Sequence, residues 1–242
     1  MKLDILAIAV HPDDVELGCA GTLMMHAQQG MKVGVVDLTR GELGTRGTPE
    51  LRIQEAAAAA EIMGLEVREN LGLADGFFRN DTMEQMAIIT AIRKYRPDII
   101  LANAIDDRHP DHGRAAQLIS DSAFMAGLRK IETTLDGQLQ EAWRPKQVFH
   151  FIQDRYHEPD FVIDITPVID RKLAAIKAFS SQFLAPKDNE PQTYISGSSF
   201  FDSVVYRAKM FGKMVGVEYA EGYTSAKKIG VRSFADLINI TT

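Results

Sequence analysis

The sequence predicts an α/β protein built on a parallel sheet, and three observations carry that prediction. Short apolar runs recur along the first half of the chain. Segments with helical patterning separate them. No internal repeat, low-complexity tract or interdomain linker interrupts the 242 residues. Strands that alternate with helices pair through βαβ crossovers, which lay a parallel sheet under a cover of helices. The length suits one large domain with a substantial core, with residues 1–242 as a single unit.

The first strand is expected at residues 4–10, where Ile5-Leu6-Ala7-Ile8-Ala9-Val10 is unbroken apolar sequence. Residues 17–29 (LGCAGTLMMHAQQ) pattern as a helix that stops at Gly30, a residue suited to the left-handed turn after a helix. Residues 32–38 (KVGVVDL) read as the second strand. Thr48-Pro49 then opens a helix, with threonine as N-cap and proline in the first position, and its alanine-rich body ends at Gly64. A short strand is expected at 66–71, an amphipathic helix at 82–95 ahead of Pro97, and a strand at 98–102. The second half is patterned more loosely: helix from His112 to Leu128, strands at 147–152 and 161–165, and helices at 168–182 and about 202–214. Residues 184–199 are polar and rich in proline, glycine and serine, a loop longer than most, and long loops in compact domains are often functional.

Bulk chemistry narrows the function. Hydrophobic residues make up 45% and charged residues 25%, and the net charge is −6, which argues against a nucleic-acid partner because such binding needs a basic face. Local arginines can still hold an anionic small substrate. A single cysteine, Cys19, excludes an internal disulfide and fits a reducing compartment. The N-terminal stretch MKLDILAIAVHPDD lacks the pattern of a signal peptide, and no apolar run reaches 18 residues. A cytoplasmic enzyme or binding protein without a membrane partner is expected.

The first strand runs straight into His11-Pro12-Asp13-Asp14, placing three ionisable groups at the edge of a core, where they are costly unless something holds them. A second cluster, Asp106-Asp107-Arg108-His109-Pro110-Asp111-His112, follows the strand at 98–102. Ligands of open parallel sheets bind outside the carboxyl ends of the strands, so the two clusters can converge at one edge. A catalytic zinc takes three protein ligands and keeps an open position. His11, Asp14 and one of the pair His109/His112 would supply the three. Asp13, beside a ligand but projecting elsewhere, would accept a proton from the attacking water, since a bound metal lowers the pKa of water to about 7 and polarises a carbonyl. The remaining histidine would steady an oxyanion or protonate a leaving amine, with Asp111 orienting it. Iron(II), manganese or cobalt could occupy the same donors.

Blander readings compete. Each motif alone resembles a turn, and it is the pair at one sheet edge that favours a metal. Gly18-Cys19-Ala20-Gly21 does not make the full dinucleotide fingerprint and weighs little as a phosphate cradle. His26 and His150 read as structural, Cys19 as a small packing residue, Met24-Met25 as core, and the five consecutive alanines as close helix packing.

The residues His11-Pro12-Asp13-Asp14-Val15-Glu16 and His109-Pro110-Asp111-His112 together resemble the zinc-dependent N-acetylglucosaminyl deacetylases of the PIG-L or LmbE-like family. The likeness extends to the stretch Asp37–Thr48, to Leu51-Arg52 and to Gln182-Phe183. Met210-Phe211-Gly212 and Gly216–Tyr223 are similar to the bacillithiol-biosynthesis branch, so that the resemblance spans roughly residues 3–225. It implies a Rossmann-like fold, a mostly parallel sheet with helices on both faces, and one Zn2+ per chain at the sheet edge. It also implies His11, Asp14 and His112 as ligands, Asp13 as general base, His109 as oxyanion stabiliser or general acid, and Asp111 as the residue that orients His109. Arg52 would contact the sugar, Arg108 would pair with the carboxylates of a malyl aglycone, and Tyr194 would reach the reacting carbonyl. The implied small-molecule substrate is N-acetylglucosaminyl malate, and the branch often forms homo-oligomers, commonly hexamers. Two alternatives stand beside this reading: the same chemistry on chitobiose or another N-acetylglucosamine conjugate, and a non-catalytic sugar- or nucleotide-binding module, which would have no use for Asp13 as a base.

Overall fold

The first apolar run forms β1 (Ile5–Ala9), buried at all five positions, in a computed structural model that describes residues 1–184, 186 and 190–237. Leu6 and Ile8 enter the core on one face of the sheet, and Ile5 and Ala7 enter the core on the other. That is the period-2 projection of a strand covered on both sides. The chain turns through His11-Pro12-Asp13 into α1 (Asp14–Gly18) and α2 (Ala20–Gln28). The helix expected from residue 17 thus begins at Asp14 and breaks at Cys19, which has φ −146° and ψ 13°. Close packing explains the glycines on either side of the break. A Cβ on Gly18 would meet the Phe151 ring at 2.2 Å, and one on Gly21 would meet Ile165 at 2.7 Å. They bring backbone against the sheet and do not form a phosphate cradle.

The middle of the chain follows its sequence signals closely. β2 (Val33–Thr39) leads to α3 (Pro49–Met63), where the Thr48 hydroxyl accepts from Leu51 N–H at 3.2 Å and Gly64 ends the helix at φ 73°. Ala56 and Ala59 form part of the buried face of α3. β3 (Val67–Leu73), α4 (Thr82–Tyr95) and β4 (Ile99–Ala102) come next. α5 (Pro110–Met125) starts two residues before His112, which makes His109 its N-cap. A hairpin of β5 (Thr134–Leu135) and β6 (Gln138–Leu139) was not expected from the pattern. β7 (Gln147–Phe151) and β8 (Phe161–Asp164) follow. The helix expected at 168–182 is divided at Phe179 into α6 (Ile169–Ala178) and α7 (Ser180–Phe183). Within the long loop, residues 185 and 187–189 lie outside the described residues, and Tyr194–Ser196 forms a single 3-10 turn ahead of α8 (Ser198–Val215).

The last strand, β9 (Ala220–Ser225), gives the sheet the order β3-β2-β1-β4-β7-β9-β8. The first five strands are parallel, and β9 runs antiparallel to both neighbours. The α/β expectation of a mostly parallel sheet with helices on both faces therefore holds, with one antiparallel strand next to the edge that the apolar pattern did not reveal. Glu221 is the reason. It sits inside β9, buried, where an apolar residue would normally mark a strand. Its carboxylate accepts from Gly21 N–H at 2.9 Å, Thr22 N–H at 2.7 Å and the Thr22 hydroxyl at 2.6 Å, and Lys172 Nζ lies 2.5 Å away. The anion thereby caps the positive end of α2 and ties β9 to the centre of the protein. No helix among the described residues is long and apolar enough to cross a membrane.

Removing one partner of a buried pair leaves the other charge uncompensated. Lys172→Met is therefore expected to lower unfolding stability by roughly 3–5 kcal/mol, read from the denaturant midpoint. An unchanged midpoint would contradict the pairing of Lys172 with Glu221.

Candidate active site

Because β3, β2, β1, β4 and β7 all run the same way, their carboxyl ends share one edge, and the polar residues of the protein collect there. β1 delivers His11, Asp13 and Asp14; β3 delivers Asp75; β4 delivers Asn103 and the segment from Asp107 to His112; β7 delivers Gln153 and Asp154. Most of them line a cleft of about 370 Å³, with Asn103 and Asp111 behind its wall.

Asp14 lies at the centre. Its carboxylate accepts from His11 N–H at 3.0 Å, from Asn103 Nδ2 at 3.1 Å and from Gln153 Nε2 at 2.7 Å. His112 Nε2 is 3.2 Å from one of its oxygens, and His11 Nδ1 is 3.6 Å from the other. The far nitrogen of each ring is engaged by a carboxylate: His112 Nδ1 with Asp107 at 2.7 Å, and His11 Nε2 with Asp75 at 3.0 Å. Paired carboxylates of this kind fix the tautomer and orientation of metal-binding imidazoles. Ring nitrogens of His11, His109 and His112 lie within 4.8 Å of one another, and so do atoms of His11, Asp75 and Asp111. In the second group Asp75 accepts Leu43 N–H at 2.9 Å, and Asp111 accepts from Gly76 N–H at 3.0 Å and Arg114 Nη1 at 2.8 Å. Beside the first group, an Asp14 oxygen approaches His11 Nδ1 at 3.6 Å and the other approaches His112 Nε2 at 3.2 Å, which adds a carboxylate to two of its imidazoles. This mixed imidazole and carboxylate set fits a zinc-like cation with an open position.

Electrostatics agrees with that fit. Burial acts to raise the Asp14 carboxyl, but His112 and His11 outweigh it and hold the group well below the usual carboxylate range. Burial acts to lower His112, yet Asp14 and Asp107 push it up to about 9. His11 is likewise raised, because its bonds to Asp111, Asp14 and Asp75 outweigh burial. The buried carboxylate and the two raised imidazoles thus favour positive charge at this point, the charge that a divalent cation would supply.

Asp13 is set apart from this group by its backbone. It holds φ 139° and ψ −21° without being glycine, a conformation that costs about 1–3 kcal/mol. Its carboxylate is buried and meets Arg52 Nη1 at 3.5 Å. Burial pushes its pKa up to about 7, with Arg52 opposing the rise and Asp14 adding to it. A carboxylate poised near neutrality suits a general base.

His109 and Asp111 meet differently from the expectation. As N-cap of α5, His109 accepts the Asp111 backbone N–H at Nδ1, at 3.3 Å. The neutral ring then carries its proton on Nε2. The Asp111 carboxylate turns away, to Gly76, Arg114 and, at 3.7 Å, His11 Nε2. The early start of α5 causes this, since it folds the His109 ring over the first turn of the helix. Burial and the neighbouring His11 and His112 charges lower the His109 pKa.

The three residues expected to touch substrate all line the cleft. Arg52 is drawn toward the Pro12 carbonyl, at 3.4 Å, and Asp13. Arg108 donates from Nε to Asp154 at 2.8 Å and stacks over the Tyr194 ring at 4.3 Å, while the Tyr194 hydroxyl donates to Asp154 at 3.4 Å. Asp75, Asn103, Gln153 and Asp154 were not singled out from the sequence, and Asp107 was named only as a member of the second cluster, without a role. Each follows a parallel strand, so applying the strand-end rule to β3, β4 and β7 as fully as to β1 would have found them. His26 and His150 are structural, bonded to the Thr22 carbonyl at 2.7 Å and the Asn103 carbonyl at 2.8 Å.

Comparison with known proteins places the fold and the sequence in a family. Residues 6–124 match the PIG-L family, described as GlcNAc-PI de-N-acetylase. The chain is 30% identical over 232 residues to the diacetylchitobiose deacetylase of Thermococcus kodakarensis, covering 90% of this chain and 81% of that protein. It is 28% identical over 193 residues to the 4-oxalmesaconate hydratase of Pseudomonas putida, covering 73% of each. It is also 28% identical over 199 residues to a probable N-acetyl-alpha-D-glucosaminyl L-malate deacetylase 2 of Bacillus subtilis, covering 75% of this chain and 84% of that one. Among solved structures, the conserved protein TT1542 from Thermus thermophilus superposes with a TM-score of 0.83 at 36% identity, covering 95% of this chain and 98% of that one. With the family model matched over residues 6–124 and the T. kodakarensis deacetylase matched over 90% of the chain, the chain belongs to the PIG-L family of deacetylases.

Proposed function

We propose that the protein is a zinc-dependent N-deacetylase that hydrolyses the acetamide of N-acetyl-α-D-glucosaminyl L-malate, giving glucosaminyl malate and acetate, as a step of bacillithiol biosynthesis. The observation that carries the reading is the separation of the two adjacent aspartates: Asp14 sits between His11 and His112, while the positive φ of Asp13 keeps its carboxylate off that set.

His11, Asp14 and His112 would hold the ion, which when bound polarises a carbonyl and acidifies water. Asp13 accepts the proton of the attacking water. His109 donates from Nε2 to the acetamide oxygen as negative charge gathers there, the role that its Nδ1 contact favours over proton donation. Asp13 then returns its proton to the departing amine, so that acetate and a free amino sugar leave. Arg52, against Asp13, limits how far burial raises that carboxyl. Arg108 and Tyr194, bracketed by Asp154, border the end of the cleft where an aglycone would lie.

The malate conjugate is supported by the likeness of residues 210–223 to the bacillithiol branch, by the B. subtilis relative and by the arginines along the cleft. Diacetylchitobiose is the second reading, favoured by the T. kodakarensis relative. Acetate release from the malate conjugate, diacetylchitobiose and free N-acetylglucosamine, compared on metal-loaded and chelator-treated protein, separates them. Metal-dependent release with preference for the malate conjugate is expected, and preference for diacetylchitobiose would move the assignment to the second reading.

Asp13→Asn is expected to retain its metal and lose at least ~100-fold in kcat, the scale of general-base catalysis. Unchanged turnover would remove Asp13 from that role. His11→Ala is expected to lose both metal and activity, and retained stoichiometric zinc would show that the donor set is wrong. Since His112 is pushed up to about 9 and His11 is also raised, both hold protons at pH 7 in the metal-free chain. Zinc uptake should therefore release protons, and affinity should weaken as pH falls. Calorimetry in buffers of different ionisation enthalpy reads this directly, and uptake without proton release would contradict it.

A further inference from the structure

Three arginines of the cleft wall are Arg52, Arg108 and Arg207. Arg52 is held by Pro12 and Asp13, and Arg108 by Asp154. Arg207, on α8, differs. It is half-buried, and among the described residues it has neither a hydrogen bond nor an ion pair. A guanidinium carries five N–H donors, accepts nothing and stays charged. Leaving such a group partly out of water without a partner is costly. Burial pushes Arg207 below its ordinary value, while Asp154, Asp107 and Glu221 act against that shift only from beyond contact.

The partner missing from the chain can arrive with the substrate. An N-acetylhexosamine is neutral, so its charge-bearing part must lie outside the sugar ring and the acetamide. We propose that Arg207 is a specificity-determining residue that binds a carboxylate on the aglycone of the substrate, through the planar paired hydrogen bonds that guanidinium and carboxylate form. This rests on the deacetylase reading above and moves the anion-binding role from Arg108, whose charge Asp154 already offsets, to Arg207. The ligand class is an N-acetylhexosamine joined to a carboxylic acid, in preference to a neutral oligosaccharide.

The test measures binding of the amino-sugar product, which cannot react. Glucosaminyl malate and its dimethyl ester are titrated by calorimetry into zinc-loaded wild type, Arg207→Gln and Arg207→Lys, with folding checked by circular dichroism. Wild type is expected to prefer the acid, and Arg207→Gln to reduce that preference roughly 10–100-fold, the scale of a charged hydrogen-bonded pair. Arg207→Lys, which keeps the charge but loses the fork, should fall between them and decides the matter if the glutamine variant does not fold. Equal weakening of acid and ester would make Arg207 a packing residue and overturn the inference. An acid preference that survives in both variants, or a wild type that binds the two alike, would overturn it too. Failure of the deacetylase reading would register separately, as absence of acetate release from every N-acetyl sugar offered.

Discussion

The carboxylate of Asp14 is the constraint around which the site is assembled. It is buried, and an isolated anion there would be costly. It persists because three strand ends converge on it: His11 from β1, Asn103 from β4 and Gln153 from β7. Asn103 also accepts the Val10 N–H at 3.0 Å, so the amide that steadies Asp14 closes the ends of two adjacent strands. The parallel register of β1 with β4 and of β4 with β7 is therefore a requirement of the site as well as of the fold. The ring of carboxylates outside the imidazoles repeats this economy. Asp107 takes backbone N–H groups of Arg108 at 2.8 Å and Arg155 at 2.8 Å with one oxygen and His112 with the other.

Two neighbouring aspartates obtain different chemistry from this frame. Asp14 faces positive charge and is held ionised, whereas Asp13 faces burial and only one distant guanidinium contact, and rises toward neutrality. Backbone strain at Asp13 maintains the difference. The tight turn from β1 into α1 needs a positive φ, and the short side chain of aspartate tolerates one better than a branched residue. Packing glycines at 18 and 21 then let the helices after the turn press onto the sheet, which fixes where the turn lies.

Much of this was legible in the residues. The βαβ alternation gave the parallel sheet, Thr48-Pro49 and Gly64 marked α3, and the two polar clusters identified the edge where they meet. Three features were not legible, for physical reasons. β9 hid because its buried Glu221 breaks the apolar pattern and is satisfied chiefly by Lys172 and the start of α2, both remote in sequence. The start of α5 was read two residues late because proline after His109 looked like a turn, although proline is favoured in the first turn of a helix. The contact between His109 and the Asp111 backbone follows from that boundary. Asp75, Asn103 and Gln153 carry no motif, and only the pairing of their strands brings them to Asp14 and His11.

His11 belongs to two donor groups, one with His109 and His112, where Asp14 oxygens lie 3.6 Å from His11 Nδ1 and 3.2 Å from His112 Nε2, the other through Nε2 with Asp75 and Asp111. Anomalous diffraction at the zinc absorption edge from zinc-soaked crystals chooses between them. The expected result is one ion at about 2.0–2.2 Å from His11 Nδ1, an Asp14 oxygen and His112 Nε2, with Asp75 and Asp107 still bonded to the far ring nitrogens. An ion seated instead among His11 Nε2, Asp75 and Asp111 would contradict the account, because Asp14 would then be a structural anion and Asp13 would have no site to serve.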